Sequence, residues 1–176
     1  MKTAIVVIWI AFWAYWLLAA VGAKPGLHHR RRLPAIGVAA IAVVLARSLR
    51  GEDLTVNDVA LEALGTAAVV AGLGLAISAR IHLGRNWGMP MTEKEQPELV
   101  TDGPYRFVRN PIYTGLLLAL LGTGLATNLY ALVALALAGP YFIYSARVEE
   151  RNLAHAFPAT YPAYRARTKM LIPFVL

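Results

Sequence analysis

Two polar segments of this 176-residue chain carry residue types that can do chemistry. The first, residues 99–115, reads LVTDGPYRFVRNPIYTG. Asp102, Gly103, Pro104 and Tyr105 are turn chemistry and expose backbone N–H groups. Arg106, Arg109 and Asn110 follow at once, and Tyr113 lies just beyond Pro111. The second segment, RVEERNL at 147–153, sets Glu149 and Glu150 between Arg147 and Arg151. Carboxylates that accept and arginines that donate can together hold a polar ligand through charge-assisted hydrogen bonds. Both segments border apolar runs, and a chain that only sat in a membrane would have no reason to keep so much charge there. We read them as halves of one cofactor site at the membrane surface.

Each half also has a plainer reading. Arginines and aromatics beside an apolar run can form a collar at the lipid headgroups. That accounts well for Arg106 and Trp87, and poorly for the Gly-Pro and Asn-Pro punctuation. Glu149 and Glu150 stand at the end of the last apolar run. Carboxylates at a helix C-terminus oppose the macrodipole at a cost of a few tenths to about 1 kcal/mol, so something must compensate. Pairing with neighbouring arginines does so, and so does a hydrogen bond to a ligand; composition leaves the two readings level.

Other chemistries are poorly served. There is no cysteine, which removes disulfides, thiolate metal sites and cysteine nucleophiles. The four histidines, His28, His29, His82 and His155, have no metal-ligand spacing, and no metal is expected. Ser48, Ser78 and Ser145 lie in or beside apolar runs without a nucleophile-elbow context. Gly72-Leu73-Gly74 and Gly122-Thr123-Gly124 sit inside apolar runs with no preceding strand. Together with Gly65 they read as close helix contacts rather than nucleotide loops.

The elements that must position these residues are helices. Hydrophobic residues make up 58% of the chain, against roughly 45–50% in soluble domains, and mean hydropathy is +0.54. The length suits one domain over residues 1–176, with 1–80 as membrane-anchoring helices and 81–176 as the cofactor-binding half. Five hydrophobic runs stand out, at about 3–23, 33–45, 59–79, 112–126 and 129–146. The first has about 20 residues, enough for a hydrocarbon core of ~30 Å. It shows no small-residue cleavage site before the basic cluster, so it reads as a span and not a signal peptide. The second is short and needs Arg47 and Arg50 to snorkel. Asn57 and Asp58 cap the third, and Pro111 suits the first turn of the fourth. Thr127 and Asn128 leave only a tight turn before the fifth, so the last two runs form a helical hairpin. Between the third and fourth runs lies a polar stretch of about 30 residues carrying Arg80, His82, Arg85, Asn86 and Trp87. Its aromatics argue for order. The tail, 149–169, reads as an amphipathic surface helix. The expected fold is all-α: a polytopic membrane protein of about five spans.

Charge placement agrees. If loops alternate between the two sides, 14 of the 17 lysines and arginines fall on one side, leaving Lys2, Arg47 and Arg50 on the other. The cation-rich side is then cytoplasmic and carries the C-terminus and the site, most simply in a bacterial or archaeal inner membrane. The net charge of +7 is accounted for in this way, without nucleic acid. The expected partner is the lipid bilayer.

The first segment resembles the signature of the isoprenylcysteine carboxyl methyltransferase family, whose relatives include bacterial and archaeal membrane methyltransferases and, more distantly, phospholipid N-methyltransferases. That signature runs L-V-x-x-G-x-Y-x-x-x-R-[HN]-P-x-Y-x-G. A helical hairpin follows, then E-E-x-x-L-x-x-x-F-x-x-x-Y-x-x-Y, matched here by Glu149, Glu150, Leu153, Phe157, Tyr161 and Tyr164. The resemblance covers roughly 84–173 with both motifs in order. It implies an S-adenosylmethionine-dependent methyltransferase, releasing S-adenosylhomocysteine, that acts on a lipophilic small molecule or lipidated substrate. By the same resemblance, Leu99, Val100, Gly103, Tyr105, Asn110, Pro111, Tyr113 and Glu149 bind the cofactor, and Arg109, Arg147 and Glu150 are catalytic. Asn110 stands where the family more often has histidine, and unlike imidazole it does not titrate. Pro158 stands where glycine is common.

Methyl transfer from a sulfonium is an in-line displacement with a neutral leaving group, so it needs positioning and exclusion of water rather than a metal. The acceptor class stays open among carboxylate, amine, thiol and hydroxyl. The competing expectation is a non-catalytic membrane scaffold or lipid-binding protein with the same fold. A transporter fits less well, since the runs hold almost no ionisable residue beyond Glu62.

Overall fold

In the computed structural model, residues 2–20, 54–87 and 98–173 are described. They form five α-helices: α1 Lys2–Ala20, α2 Val59–Leu83, α3 Pro111–Ala126, α4 Ala131–Ala156 and α5 Tyr161–Arg167. Short 3-10 turns at Gly84–Asn86 and Gly103–Arg106 lie between α2 and α3. Among the described residues there is no strand, only isolated bridges at Thr55–Asn128 and Val108–Lys169. The protein is all-α. By length and composition α1, α2 and α4 can each cross a membrane, while α3 is apolar but shorter. The expected span at 33–45, the basic cluster at 24–32 and the prolines at 90 and 97 lie outside the described residues.

The helices follow from local signals. On α1, Ile5, Trp9, Phe12 and Trp16 are buried at a helical spacing, while Val7, Ile10, Leu17 and Leu18 face outward. The indole of Trp9 donates to Thr123 Oγ1 at 3.0 Å, which holds α1 to α3 inside the apolar layer. Asp58 caps α2 by accepting from Leu61 N at 2.9 Å. Helices α2 and α3 are antiparallel and touch backbone to backbone. A Cβ on Gly65 would come within 2.6 Å of Gly122 O, and one on Gly72 within 2.5 Å of Gly115 O. The four glycines thus make two facing pairs, seven residues apart on each helix; this is the close packing expected for Gly65, Gly72 and Gly122, with Gly115 as a fourth member. Gly74 faces open space, and Gly124 meets the Leu132 side chain.

Long-range contacts define two ends. At one, Lys2 Nζ donates to Thr55 Oγ1 at 3.2 Å. There Val56 N also donates to Thr127 O and Leu129 N to Leu54 O, tying the start of α2 to the α3–α4 turn. At the other, Arg80 Nη2 donates to Ala19 O, joining the last turns of α1 and α2. Helices α1 and α2 therefore run parallel; the connection that makes this possible, 21–53, lies outside the described residues. The hairpin of α3 and α4 returns the chain to the Arg80 end, where both chemical segments gather.

One boundary differs from expectation. The last apolar run ends near residue 146, but α4 continues as helix to Ala156. Glu149 and Glu150 therefore sit well inside the helix, beyond the last turn where the macrodipole acts. The dipole penalty inferred for them does not arise, and the surface helix of the tail shortens to α5. The continuation follows from partners on other elements, which hold both glutamates.

Candidate active site

Tyr113 and Glu149 join the two segments. Tyr113 stands in the first turn of α3 and is buried. Its ring stacks on Phe142 of α4 at 4.6 Å between centroids and 14° between planes. Phe142 and Glu149 are seven residues apart, two turns on one face of α4. The same stack therefore points the Tyr113 hydroxyl at the next polar group along that face, and it donates to Glu149 Oε1. A polar bond at the edge of an aromatic stack fixes the carboxylate in place.

Arg109 and Glu150 form a second junction. Arg109 Nε donates to Glu150 Oε1 at 2.7 Å, with both side chains about nine-tenths buried. Arg109 Nη1 donates to the carbonyl of Thr168. The backbone continues the clamp: Arg109 N donates to Lys169 O at 2.8 Å and Asn110 N to Met170 O at 3.1 Å. The Asn110 side chain donates to Met170 O at 3.1 Å, and Thr114 Oγ1 to Leu171 O at 2.6 Å. Residues 168–171 thus lie along 108–114 and close the end of the bundle. Sequence reasoning did not find this clamp, because short parallel pairing between a loop and a tail leaves no periodicity.

The DGPY turn covers the junction. Gly103 has φ +52°, a left-handed backbone that glycine adopts without strain. A Cβ there would lie 2.2 Å from the His82 ring, so this position requires glycine twice over. Tyr105 is buried, and its carbonyl accepts from the Tyr164 hydroxyl at 2.7 Å, which docks α5 under the turn. Burial pushes the Tyr105 hydroxyl well above the usual tyrosine range, and Glu149 and Tyr164 push it further, against the Arg80 guanidinium. Burial likewise raises Tyr161, with Glu150 adding and Arg109 and Arg165 opposing. Tyr164 is pushed up to about 12 by burial, against Arg109 and Arg167, with Glu150 adding. These hydroxyls stay protonated; Tyr164 donates, while the buried Tyr161 hydroxyl has no partner among the described residues.

The structure gathers Tyr105, Asn110, Pro111, Tyr113 and Glu149 at one end of the bundle, with Arg109 and Glu150 paired beside them. Leu99 and Val100 are half-buried in the approach to the turn, and Arg147 is exposed. Arg109 and Glu150 hold each other and the tail, an arrangement that positions the site. Among the described residues no cluster of His, Cys, Asp or Glu could hold a metal.

Arg80 belongs to this end as well, although its sequence marked only the exit of a helix. The signal was an arginine directly after an apolar run, with Ile81 and Leu83 still following it. Its guanidinium is buried, donates to Gly84 O at 2.6 Å and stacks over the Trp87 ring at 4.7 Å. Trp87 packs edge-on against Trp16 of α1.

Comparison with known proteins meets this geometry from outside. Residues 61–160 match the phospholipid methyltransferase family. The cobalt-zinc-cadmium resistance protein CzcN of Cupriavidus metallidurans is 35% identical over 104 residues, covering 57% of this chain and 48% of that protein. Methanethiol S-methyltransferase 2 of Bradyrhizobium diazoefficiens is 42% identical over 69 residues, 39% of this chain and 26% of its own. Methanethiol S-methyltransferase 1 of the same organism is 35% identical over 82 residues, 47% of this chain and 28% of its own. The matched stretches thus span half or less of these relatives. The family match runs from the first turns of α2 to the residue before α5 and takes in the DGPY turn, the glycine-paired helices and both glutamates. On that stretch, more than half of its length, this integral membrane chain belongs to the phospholipid methyltransferase family.

Proposed function

We propose that this chain transfers a methyl group from S-adenosylmethionine to a lipophilic acceptor at the cytoplasmic face of a membrane. The observation that carries the reading is the Tyr113–Glu149 bond, which unites the two motif segments beside the buried Tyr105. The donor set suits such a cofactor: a fixed carboxylate accepts from ribose hydroxyls or an amine, and aromatic faces suit an adenine or a sulfonium. When bound, S-adenosylmethionine supplies an electrophilic methyl on a sulfonium. Glu149 orients it by accepting hydrogen bonds, and Tyr113 and Phe142 hold Glu149 in line. Tyr105 and the DGPY turn exclude water from one side. Arg109 and Glu150 act as positioning residues that keep the tail closed over 108–114. Asn110 accepts or donates without titrating, so the acceptor arrives as a nucleophile that needs no imidazole base.

Two of the similar proteins are named for a thiol acceptor, which brings a thiol to the front of the four acceptor classes. On this reading the site lies at the membrane–water boundary. A polar cofactor then enters from the cytoplasm and an apolar acceptor from the lipid.

The test is calorimetric titration of detergent-purified protein with S-adenosylmethionine and S-adenosylhomocysteine, beside Glu149→Gln. Wild type is expected to bind both, and Glu149→Gln to lose most of that affinity while melting like wild type. A folded wild type that binds neither compound would leave the scaffold reading in its place.

A further inference from the structure

Arg80 is a buried cation whose partners among the described residues are all neutral. Its residue is 5% exposed. Nη1 is held by Gly84 O and Nη2 by Ala19 O, and the plane lies over Trp87. Nε is buried and has no hydrogen-bond partner among the described residues. No carboxylate pairs with it among those residues either. A guanidinium does not shed its proton at any physiological pH, so the full charge stays in place. A desolvated charge without a counter-ion is costly, and a chain that needed only a staple between α1 and α2 could use a neutral donor. The Nε edge of a guanidinium also presents two parallel N–H groups, a shape that matches a carboxylate. The Arg80 and Glu149 charges both act on the Tyr105 hydroxyl, in opposite directions.

Resting on the methyl-transfer reading, we propose that Arg80 binds a ligand carboxylate in the seam between α1, α2 and the DGPY turn. Two ligands can bring that group: the amino-acid end of the cofactor, or an acceptor that is itself a carboxylate. In either case the anion supplies an acceptor for Nε and a counter-charge that the described residues do not. Trp87 and the carbonyls of Ala19 and Gly84 hold the guanidinium at a fixed angle, and the ligand reaches the buried Nε by displacing what covers it. Glu149 then takes the hydroxyl or amine end of the cofactor while Arg80 takes the acid end.

The experiment titrates wild type, Arg80→Gln and Arg80→Lys with S-adenosylhomocysteine and with 5′-methylthioadenosine, which lacks the amino acid. A second arm titrates octanoate against octanol. If the cofactor supplies the carboxylate, Arg80→Gln weakens S-adenosylhomocysteine about tenfold or more, the value of a charge-assisted bond, and leaves methylthioadenosine unchanged. If the acceptor supplies it, S-adenosylhomocysteine is unchanged and the preference for octanoate over octanol is lost. Arg80→Lys keeps the charge and the stem but not the fork, and is expected to fall between; it also serves if Arg80→Gln fails to fold. Unchanged affinity for both acids in a variant that still binds methylthioadenosine overturns the proposal and leaves Arg80 a staple. Failure of wild type to bind either nucleoside defeats the methyl-transfer reading, and the octanoate arm still decides Arg80.

Discussion

Glu149 and Glu150 are neighbours in sequence with separate duties. Successive residues on a helix point about 100° apart, so one carboxylate meets Tyr113 and the other meets Arg109. Their variants are expected to fail differently. Glu150→Ala removes the counter-ion of a nearly buried arginine, which costs about 3 kcal/mol, near the low end for such pairs. It lowers the melting temperature in detergent while the surviving folded protein keeps most of its affinity for S-adenosylhomocysteine. Glu149→Gln keeps the fold and loses the affinity. A normal melting temperature together with lost affinity in Glu150→Ala would move Glu150 into the ligand site. The residues of this pairing were legible in sequence, because a turn motif followed by Arg109, Asn110 and Tyr113, with two glutamates a hairpin away, is a pattern of polar groups in an apolar chain. Their assignment to each other was not legible. Only the rotation of α4 decides which glutamate faces which partner, and that rotation is set by the Tyr113–Phe142 stack.

Helix packing supplies a sharper contrast. Gly122 and Gly74 are both glycines in apolar helices, yet a Cβ on Gly122 would meet Gly65 O at 2.5 Å while one on Gly74 meets nothing. Gly122→Ala is expected to destabilise by about 1–3 kcal/mol, the usual cost of overpacking. Gly74→Ala gains helix propensity of about 0.5–1 kcal/mol and loses no contact. Thermal unfolding of the pair reads the difference, and equal shifts would refute direct backbone contact between α2 and α3. Gly65, Gly72 and Gly122 were visible in sequence as a packing signal; Gly115 and the seven-residue pairing were not. The length of α4 was not visible either, because six of its last ten residues are polar and their helical state depends on Tyr113 and Arg109 rather than on apolar periodicity. Docking of α5 has its own titration. Tyr164 is pushed up to about 12 from an unfolded value near 10. A group with a raised native pKa contributes stability that is present below pH 10 and lost as pH rises from about 10 to 12. Wild-type stability is therefore expected to fall more steeply across that window than that of Tyr164→Phe, in melts taken from pH 9 upward. Tyr164→Phe itself starts lower, since the buried Tyr105 carbonyl loses its donor. Parallel pH curves for the two proteins would show that Tyr164 is not buried as described.

At the scale of the whole molecule, charge and topology bear on the same question from independent directions. The contacts of Lys2 with Thr55 and of residues 54–56 with the α3–α4 turn define one end. Among the described residues that end carries a single lysine, Lys2, together with Asp58 and Glu62. The opposite end carries Arg80, Arg85, Arg106, Arg109, Arg147, Arg151, Arg165, Arg167 and Lys169. Sequence alone reached a similar split by assuming that loops alternate between sides, an assumption that depends on the segment at 33–45. The contacts remove that dependence, because they sort α1 to α4 by which ends touch, whatever residues 21–53 do. Positive residues next to spans are retained on the cytoplasmic side, so the end bearing Tyr113, Glu149 and Arg80 is expected to face the cytoplasm, where a water-soluble cofactor is available. A reporter fused after residue 176 should then be active only in the cytoplasm, and one placed in the α3–α4 turn only outside it. Moving charge should weaken the preference: neutralising Arg147, Arg151, Arg165 and Arg167 together, while adding lysines at the α3–α4 turn, should yield molecules of both orientations. A C-terminal reporter active only outside would put the site on the far side of the membrane from the cytoplasmic cofactor supply, and methyl transfer from S-adenosylmethionine would fall with the orientation.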